Sequence, residues 1–337
     1  MSEHHHDSVE RHVSTGRLPG RERVQSLLDE AHLRFADDRD GEVSAVYPAL
    51  AAVPPDGFGL CVASVDGGIA TSGDAETAFT IMSVAKPFVF AVVCDLMGPE
   101  QVRERIGVNA TGLPFNSVVA VDRAPGGRTN PMVNSGAIVT ASLIPGDSVD
   151  QQWAELCGRL SAFAGRELEL DEDVTTSALA TNHRNRAIAR LLYDAGALTM
   201  VPEEAVELYT MQSCLRVSAV DLAVMGATLA DAGVNPRTDE RVIGPGACRS
   251  TLAVMATAGL YETSGEWLYD IGLPGKSGIG GGIVMVSPGK GALGTYAPRL
   301  DAAGNSVKGQ RAARLLSGRL GLDLFASSVF GADDTDE

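Results

Sequence analysis

Apolar runs of strand length occur towards both ends of the sequence. The first, Phe58–Val65, is followed by a turn at Asp66–Gly68 and a second run, Ile69–Ser72. This pattern predicts a β-hairpin, because Asp-Gly and Gly-Gly pairs favour the tight turns that join antiparallel strands. Late in the chain, Gly280–Ser287 leads through a Pro-Gly turn to a partner run, Ala292–Ala297. The sequence therefore predicts antiparallel strands from both ends of the chain.

Helical periodicity fills the space between these strands and also flanks them. Val24–Phe35 and Ser306–Leu320 repeat apolar residues at the spacing of amphipathic helices. From about residue 100 to about residue 260 the pattern is helical, and Gly, Pro or Asn separates most segments. The predicted helices of this block are Gln101–Ile106, Val133–Leu143, Asp150–Phe163, Val174–Leu192, Glu203–Cys214, Ala219–Ala232 and Cys248–Ala258.

The order of these elements predicts an α+β fold. An antiparallel sheet formed from both chain ends would be flanked by helices, and an all-helical subdomain (about residues 100–260) would be inserted into it. We expect one domain over residues 22–326. The polar residues 1–20 are expected to be disordered or loosely attached, and the acidic residues 332–337 are expected to form a tail.

One short stretch carries candidate chemistry. Phe79–Phe88 predicts a short apolar strand that turns at Ser83 into a helix, and this helix is so apolar through Leu96 that it must be buried. Ser83 and Lys86 are three positions apart, so on a helix they lie on one face within hydrogen-bonding reach. A serine beside an amine in a desolvated site is a candidate nucleophile. The Ser-x-x-Lys pattern alone is weak, because it also arises by chance in ordinary helices.

Composition narrows the function classes. Lys+Arg 27 against Asp+Glu 43 gives a net charge of −16, which argues against nucleic acid or an anionic membrane as a partner. The five cysteines are scattered and form no C-x-x-C pair, a pattern typical of reduced thiols in a cytoplasmic protein. We expect no metal site, since the His4–His6 run lies on the terminal segment.

Two further motifs give the serine a context. Lys276-Ser277-Gly278 precedes a glycine-rich strand, and Tyr209 lies near the end of a predicted helix. Together with Ser83-x-x-Lys86, these elements resemble the three-part pattern of the penicillin-recognising serine enzymes. On an edge strand, Lys-Ser-Gly would supply charge and open backbone N–H groups beside the nucleophile. Alone, this tripeptide would favour an ordinary turn before a strand.

The surrounding residues are more specific. Gly127–Ile138 contains Asn-Pro-Met-Val-Asn-Ser-Gly-Ala-Ile, which closely resembles the N-P-M-x-N-A-G-A-I signature of the serine-dependent glutaminase family. The resemblance covers roughly residues 22–326. Its other segments occur in the family order: Phe115–Ser117, Asp221–Ala223, Gly233–Pro236, Gly259–Gly265, Gly272–Gly282, Pro298–Asp301 and Gly304–Gly309.

This resemblance implies a fold like the β-lactamases and penicillin-binding proteins, and hydrolysis of glutamine to glutamate and ammonia without a cofactor. By position, it implies that Ser83 is the nucleophile and Lys86 the base. Tyr261 and Tyr209 would relay protons or hold the substrate. The remaining implied contacts are the side chains of Asn134 and Asn185, with the backbone N–H groups of Ser83 and Ile279 as the oxyanion hole. A small-molecule amide substrate, a homodimer or homotetramer and a cytoplasmic location are the corresponding expectations.

The sequence departs from the family pattern at the substrate end. Ala178 replaces the glutamate that faces the substrate's α-amino group in the family, Met82 replaces a glutamine before the nucleophile, and Val46 replaces a tyrosine unless the chain slips by one residue. A buried ammonium without a carboxylate partner is costly, although one of Glu203, Glu204 or Glu207 could move in. These departures leave open an amidase or acyl transferase acting on a different substrate, or a non-catalytic binding relative. A β-lactamase or peptidase is a further alternative, disfavoured by the Asn-Pro-Met-x-Asn and Gly-Gly-Gly segments.

Overall fold

The computed structural model describes residues 16–327 of the chain. Nine strands occur in this range: β1 Glu42–Val43, β2 Gly59–Ser64, β3 Ile69–Gly73, β4 Phe79–Thr80, β5 Arg216–Val217, β6 Gly275–Ser277, β7 Gly282–Ser287, β8 Gly291–Tyr296 and β9 Arg299–Leu300. Most of the predicted loose segment 1–20 and all of the predicted tail 332–337 lie outside the described residues.

The same range contains fourteen α-helices. They are α1 Arg21–Phe35, α2 Pro48–Ala51, α3 Ala85–Met97, α4 Pro99–Ile106, α5 Val118–Arg123, α6 Asn134–Ser142, α7 Val149–Ala164, α8 Glu172–Thr181, α9 His183–Asp194, α10 Pro202–Ser213, α11 Ala219–Ala230, α12 Pro245–Ala258, α13 Ser264–Ile271 and α14 Val307–Arg319. The strands and helices together confirm the predicted α+β fold class.

The central sheet has five antiparallel strands in the order β3-β2-β8-β7-β6. The early strand β2 pairs with the late strand β8, with Gly59 opposite Tyr296 and Ser64 opposite Gly291. Strand β6, at the edge, pairs with β7 through Lys276 and Val284. The prediction that both chain ends build one antiparallel sheet is therefore confirmed.

Alternate residues of the central strands belong to two separate hydrophobic clusters. In β7, Ile283 and Met285 pack with α1, α13 and α14, whereas Val284 and Val286 pack with α11 and the helical block. This follows from the two-residue period of a strand, which sends successive side chains to opposite faces. Both faces of the sheet are therefore covered by helices.

Helix α11 packs unusually close to the sheet. A Cβ atom added at Gly226 would lie 2.6 Å from Ala292 Cβ and 2.8 Å from a methyl group of Val284. Such distances are below van der Waals contact, so only a residue without a side chain fits here. The close contact brings α11, a helix of the helical block, directly against β7 and β8.

Three details differ from the sequence predictions. The predicted helix Val174–Leu192 is two helices, α8 and α9, because Asn182 between them has a non-helical ψ of 37°. The predicted strand at Phe79 has only two residues and pairs with β5 outside the central sheet. Helices α2, α5 and α13 are too short or too polar for their periodicity to stand out.

Candidate active site

Ser83 lies in a single 3₁₀ turn, Met82–Val84, between β4 and α3. The turn begins at a strained residue, because Met82 has a φ of 47°, a conformation that side-chain-bearing residues rarely adopt. Strain of this kind persists only where the surrounding structure imposes it, and it is concentrated at functional sites. Ser83 is buried but lines a cavity of about 110 Å³. The sequence predicts that Ser83 lies at the start of a helix, and in the structure it lies in a 3₁₀ turn that leads directly into α3.

Lys86, in the first turn of α3, reaches back to the serine. Its Nζ lies 3.2 Å from Ser83 Oγ and donates a 2.7 Å hydrogen bond to Asn134 Oδ1. The side chain is 1% exposed and forms no ion pair within the described part of the chain. Burial therefore lowers the pKa of Lys86 to about 7. Near neutral pH, a substantial fraction of this amine is uncharged and can accept the proton of Ser83.

Asn134 links Lys86 to the other predicted substrate contacts. Its Oδ1 also accepts a 3.1 Å hydrogen bond from the Tyr209 hydroxyl, and its Nδ2 donates a 2.9 Å hydrogen bond to Asn185 Oδ1. The backbone amide of Asn134 in turn donates to Phe115 O at 2.8 Å. Three helices, α6, α9 and α10, thus converge on one hydrogen-bonded chain that ends at the base.

Tyr261 lies on the opposite side of the nucleophile, next to the edge strand β6. Its hydroxyl donates to Ser277 O at 3.1 Å, and its ring packs on Phe115 with centroids 4.6 Å apart. Burial raises the pKa of Tyr261 above its ordinary value, and a hydrogen bond with Ser83 acts in the opposite direction. Tyr261 also has a strained φ of 57°. A protonated phenol therefore stands beside the nucleophile.

A second buried lysine lies behind Tyr261. Lys276 Nζ is 4.2 Å from the centroid of the Tyr261 ring and 2.5 Å from Ser277 O. Burial lowers the pKa of Lys276, and the nearby Lys86 lowers it further. Two amines in one desolvated region oppose each other's charge, which favours the neutral form of at least one of them.

The loop between β6 and β7 closes the site against the nucleophile turn. A Cβ added at Gly280 would lie 2.3 Å from Thr80 O, so glycine is required for this approach. Ile279 lines the cavity, and its backbone N–H has no hydrogen-bond acceptor among residues 16–327. An unpaired N–H beside a nucleophile is the kind of donor that an oxyanion hole uses.

The substrate-end departures occupy different positions. Met82 lines the cavity, whereas Ala178 is fully buried in an apolar cluster with Met82 and Cys214 and does not reach the cavity surface. Val46 is 56% exposed at the rim. Next to it, Tyr47 lines the cavity, where burial raises the pKa of its hydroxyl to about 12 and Asn185 acts in the opposite direction. A tyrosine is therefore present after all, displaced by one position along the chain.

Sequence reasoning missed several residues of the cavity wall. Phe115 and Asn116 belong to a motif to which the sequence assigns no role, and Tyr47 enters only as the alternative to Val46 if the chain slips by one residue. The remaining wall residues, which have no predicted role, are Thr181, Asn182, Arg184 and Ser213. The suggestion that Glu203, Glu204 or Glu207 could enter the pocket is wrong. All three are exposed on the outer face of α10, and Glu203 is paired with Arg190 at 3.0 Å.

Other parts of the described structure offer less chemistry. A larger cavity of about 750 Å³ has Ser64 and Asp66 in its wall, and the Ser64 hydroxyl donates a hydrogen bond to the Asp66 carboxylate. Asp66 is exposed and also accepts from the backbone N–H of Gly68, so this pair belongs to the turn between β2 and β3. Within residues 16–327, no group of three or more His, Cys, Asp or Glu side chains is placed to hold a metal ion. No helix in this range is both long and apolar enough to span a membrane.

Comparison with solved structures defines the class of this protein. The chain matches a probable glutaminase, ybaS, with a TM-score of 0.90 at 38% identity, over 92% of this chain and 100% of that one. It matches Mglu in its glutamate form with a TM-score of 0.86 at 33% identity, over 93% of this chain and 72% of that one. The fold is that of the serine β-lactamase-like enzymes, and the protein is an amidohydrolase of this class.

Sequence comparison then gives the family. The Glutaminase family model matches residues 41–325. The chain is 61% identical over 319 residues to Glutaminase 2 of Yersinia pestis, which covers 95% of this chain and 94% of that protein. It is 45% identical over 304 residues to Glutaminase of Brucella canis, over 90% of this chain and 96% of that protein. The chain belongs to the glutaminase family, and the resemblance inferred from its motifs is confirmed.

Proposed function

We propose that this protein hydrolyses the side-chain amide of L-glutamine to L-glutamate and ammonia, through an acyl-enzyme on Ser83. The observation that carries the proposal is the contact between Ser83 Oγ and Lys86 Nζ, 3.2 Å apart at the wall of a cavity. A buried lysine without a carboxylate partner is a competent base near neutral pH. The retained pair of nucleophile and base favours catalysis over a binding role, so the non-catalytic alternative has no support in the site.

In the first half of the reaction, neutral Lys86 accepts the proton of Ser83 as Oγ attacks the carboxamide carbon. The negative charge that develops on the amide oxygen is stabilised by the backbone N–H groups of Ser83 and Ile279. The C–N bond then breaks, and Tyr261 passes a proton to the departing nitrogen, which leaves as ammonia. The product of this half-reaction is an ester between Ser83 and the glutamyl group.

In the second half, water attacks the ester carbonyl from the cavity. Lys86, which regained its neutral form when its proton was passed on through Tyr261, accepts a proton from the attacking water. The C–O bond to Ser83 breaks, Oγ takes the proton back, and glutamate is released. Asn134, Asn185 and Tyr209 are proposed to hold the substrate, because their hydrogen-bonded chain lines the cavity beside the base.

The test is trapping of the covalent intermediate. The purified enzyme is mixed with L-glutamine, quenched in acid within the first turnovers, and digested for mass spectrometry. We expect a glutamyl adduct on the peptide that contains Ser83, and ammonia release that Ser83→Ala abolishes. Ser213→Ala is the matched control, because Ser213 lines the same cavity but is not paired with a lysine. Equal turnover by Ser83→Ala and the unmodified enzyme would refute the mechanism.

The assembly and location remain part of the proposal. We propose a homodimer or homotetramer in the cytoplasm, with a small-molecule amide as the substrate. All five cysteines are free, as expected for a reducing compartment. Light scattering after size-exclusion chromatography tests the assembly: a purely monomeric enzyme at working concentration would contradict it.

A further inference from the structure

Asn130 is a fully buried amide that lies outside the wall of the cavity beside Ser83. Its Nδ2 donates a 2.9 Å hydrogen bond to Asn109 O, and its Oδ1 accepts a 2.9 Å hydrogen bond from the backbone N–H of Met132. Both ends of the amide are therefore used, as the burial of a polar group requires. The side chain joins the loop between α4 and α5 to the turn that leads into α6.

The start of α6 depends on this side chain. The helix begins at Asn134, and its N-cap residue, Val133, provides no side-chain cap. The bond from Met132 to the side chain of Asn130 holds the turn before the helix, in the way that an Asn side chain stabilises a tight turn. The Asn130 carbonyl also lies against the first turn of α6, since a Cβ added at Gly136 would be 2.0 Å from its oxygen. The backbone position of Asn134 is therefore set by Asn130.

The loop between α4 and α5 meets the same helix start at a second point. The backbone N–H of Asn134 donates a 2.8 Å hydrogen bond to Phe115 O in this loop. Phe115 and its neighbour Asn116 line the cavity. The bond from Asn130 to Asn109 and the bond from Asn134 to Phe115 thus hold the loop and the turn together at two places. A change at Asn130 would reach both the helix start and part of the cavity wall.

The contact that depends on this arrangement is the 2.7 Å hydrogen bond from Lys86 Nζ to Asn134 Oδ1. Hydrogen bonds weaken steeply when their distance and angle change. A misplacement of about 1 Å at a reacting group can cost about 100-fold in rate, even when its origin lies away from the chemistry.

We infer that Asn130 is a positioning residue for the Ser83 reaction, which holds the Asn134 amide against the base Lys86. The inference rests on the proposed function, because it concerns the same reaction. Asn130 touches neither the nucleophile nor the cavity in the described structure, so its effect on the rate acts through Asn134.

The first test is the variant Asn130→Ala, assayed by ammonia release from L-glutamine. We expect kcat to fall by about tenfold while KM changes by less than about twofold, because the displaced contact is the one with the base. An unchanged kcat in folded Asn130→Ala, with Ser83→Ala inactive, would overturn the inference and leave the proposed function intact. Full activity of Ser83→Ala would refute the proposed function itself.

Asn235→Ala is the matched control. Asn235 is also fully buried, and its Nδ2 donates 2.9 Å hydrogen bonds to Ala162 O and Phe163 O, away from the cavity. Both variants should unfold at lower urea concentration than the unmodified protein, because each loses buried hydrogen bonds. Only Asn130→Ala should lose kcat. An equal loss of kcat in Asn235→Ala would mean that general loosening of the fold slows the enzyme, and would overturn the inference.

A double-mutant cycle with Asn134→Leu separates positioning from an independent effect. In the Asn134→Leu background, Asn130→Ala should lower kcat by less than about twofold, because no amide remains to be positioned. A further loss of about tenfold would show that Asn130 acts by another route and would overturn the inference.

Asn130→Asp decides the matter if Asn130→Ala does not fold. The aspartate keeps an acceptor for the Met132 N–H and removes only the donor to Asn109 O. We expect kcat to fall by at least about threefold, the loss expected for one buried hydrogen bond. An unchanged kcat in Asn130→Asp would overturn the inference.

Discussion

Lys86 donates a 2.7 Å hydrogen bond to Asn134, a neutral amide, where a buried lysine would ordinarily meet a carboxylate. The amide satisfies one N–H of the lysine without stabilising its charge as an anion would. Burial can therefore lower the pKa of Lys86 to about 7. The choice of an amide at position 134 makes this lysine a base at neutral pH.

The first prediction concerns the pH profile. Because Lys86 acts in its neutral form, kcat/KM should rise as pH increases through about 7 and fall below it. The profile is measured from initial rates of ammonia release between pH 5.5 and pH 8.5, a range of about three pH units around the pKa of Lys86. Circular dichroism checks that the protein stays folded over this range. A flat profile across this range would contradict the role of Lys86.

Lys86→Met separates catalysis from stability. We expect a loss of activity of about 10³-fold, the usual contribution of a positioned base. The folded state lowers the pKa of Lys86, so at neutral pH the unfolded chain binds more protons, and the lysine destabilises the fold more as pH falls. The variant should therefore unfold at higher urea concentration at pH 7, with a gain of ~3 kcal/mol. A Lys86→Met variant that is less stable than the unmodified protein at pH 7 would contradict this prediction.

Asn134→Asp tests the link between the amide and the base. A carboxylate at this position would raise the pKa of Lys86, because it stabilises the charged amine. The rising limb of the kcat/KM profile should move to higher pH by at least about one unit, and activity at pH 7 should fall by about tenfold. Asn134→Leu is the comparison, since it removes the hydrogen bond without adding charge and should not move the limb upward. An unshifted limb in Asn134→Asp would show that the two groups are uncoupled.

Tyr261→Phe removes one hydroxyl and keeps the ring that packs on Phe115. If the hydroxyl passes the proton to the leaving nitrogen, kcat should fall by about 10²-fold or more while KM changes little. Tyr209→Phe is the matched variant on the other side of Ser83, and its effect should fall mainly on KM. The reverse assignment, with KM affected by Tyr261→Phe and kcat by Tyr209→Phe, would exchange the two roles.

Asp221 is predicted to be a structural residue. Its buried carboxylate accepts from Arg166 Nε at 2.8 Å and Nη2 at 2.7 Å, and from the backbone amide of Ser218 at 2.8 Å. Asp221→Asn should lower the free energy of unfolding by ~2 kcal/mol in urea titrations, because these bonds are charge-assisted. Glu203→Gln, at an exposed pair with Arg190, should change it by less than ~0.5 kcal/mol. Similar losses in the two variants would contradict the structural role of Asp221.

The sequence alone is sufficient to predict the central sheet and the helices that flank it. The continuous apolar runs of β2 and β7 and the long helices of the middle block are strong local signals. The break at Asn182 was missed, because the apolar spacing continues across it and only the backbone of one residue changes. The same break places Arg184 at the start of α9 beside the cavity, so one missed boundary concealed a residue of the cavity wall.

The site was predictable where its residues lie in short motifs. Ser83 and Lys86 are close in sequence, and Asn134 belongs to a distinctive segment, so the family pattern identified them as candidates. Thr181 carries no such signal, because it reaches the cavity only through the packing of α8. Ala178 was expected to face the substrate, but it is fully buried in one apolar cluster with Met82. How deeply a side chain is buried cannot be determined from its position in the sequence alone. The catalytic and binding roles stay predictions until the variants are measured.

The pairing of β2 with β8 also has a consequence for synthesis of the protein. Gly59 pairs with Tyr296, which lies 237 positions further along the chain, and Tyr261, Lys276 and Ile279 lie in the late segment that leads into β7 and β8. Contacts between residues so distant in sequence form late and slowly. A chain still emerging from the ribosome carries its nucleophile and base early but lacks the far wall of the cavity. Amidase activity should therefore appear only after the last strands have left the ribosome, so a partly synthesised chain should be inactive.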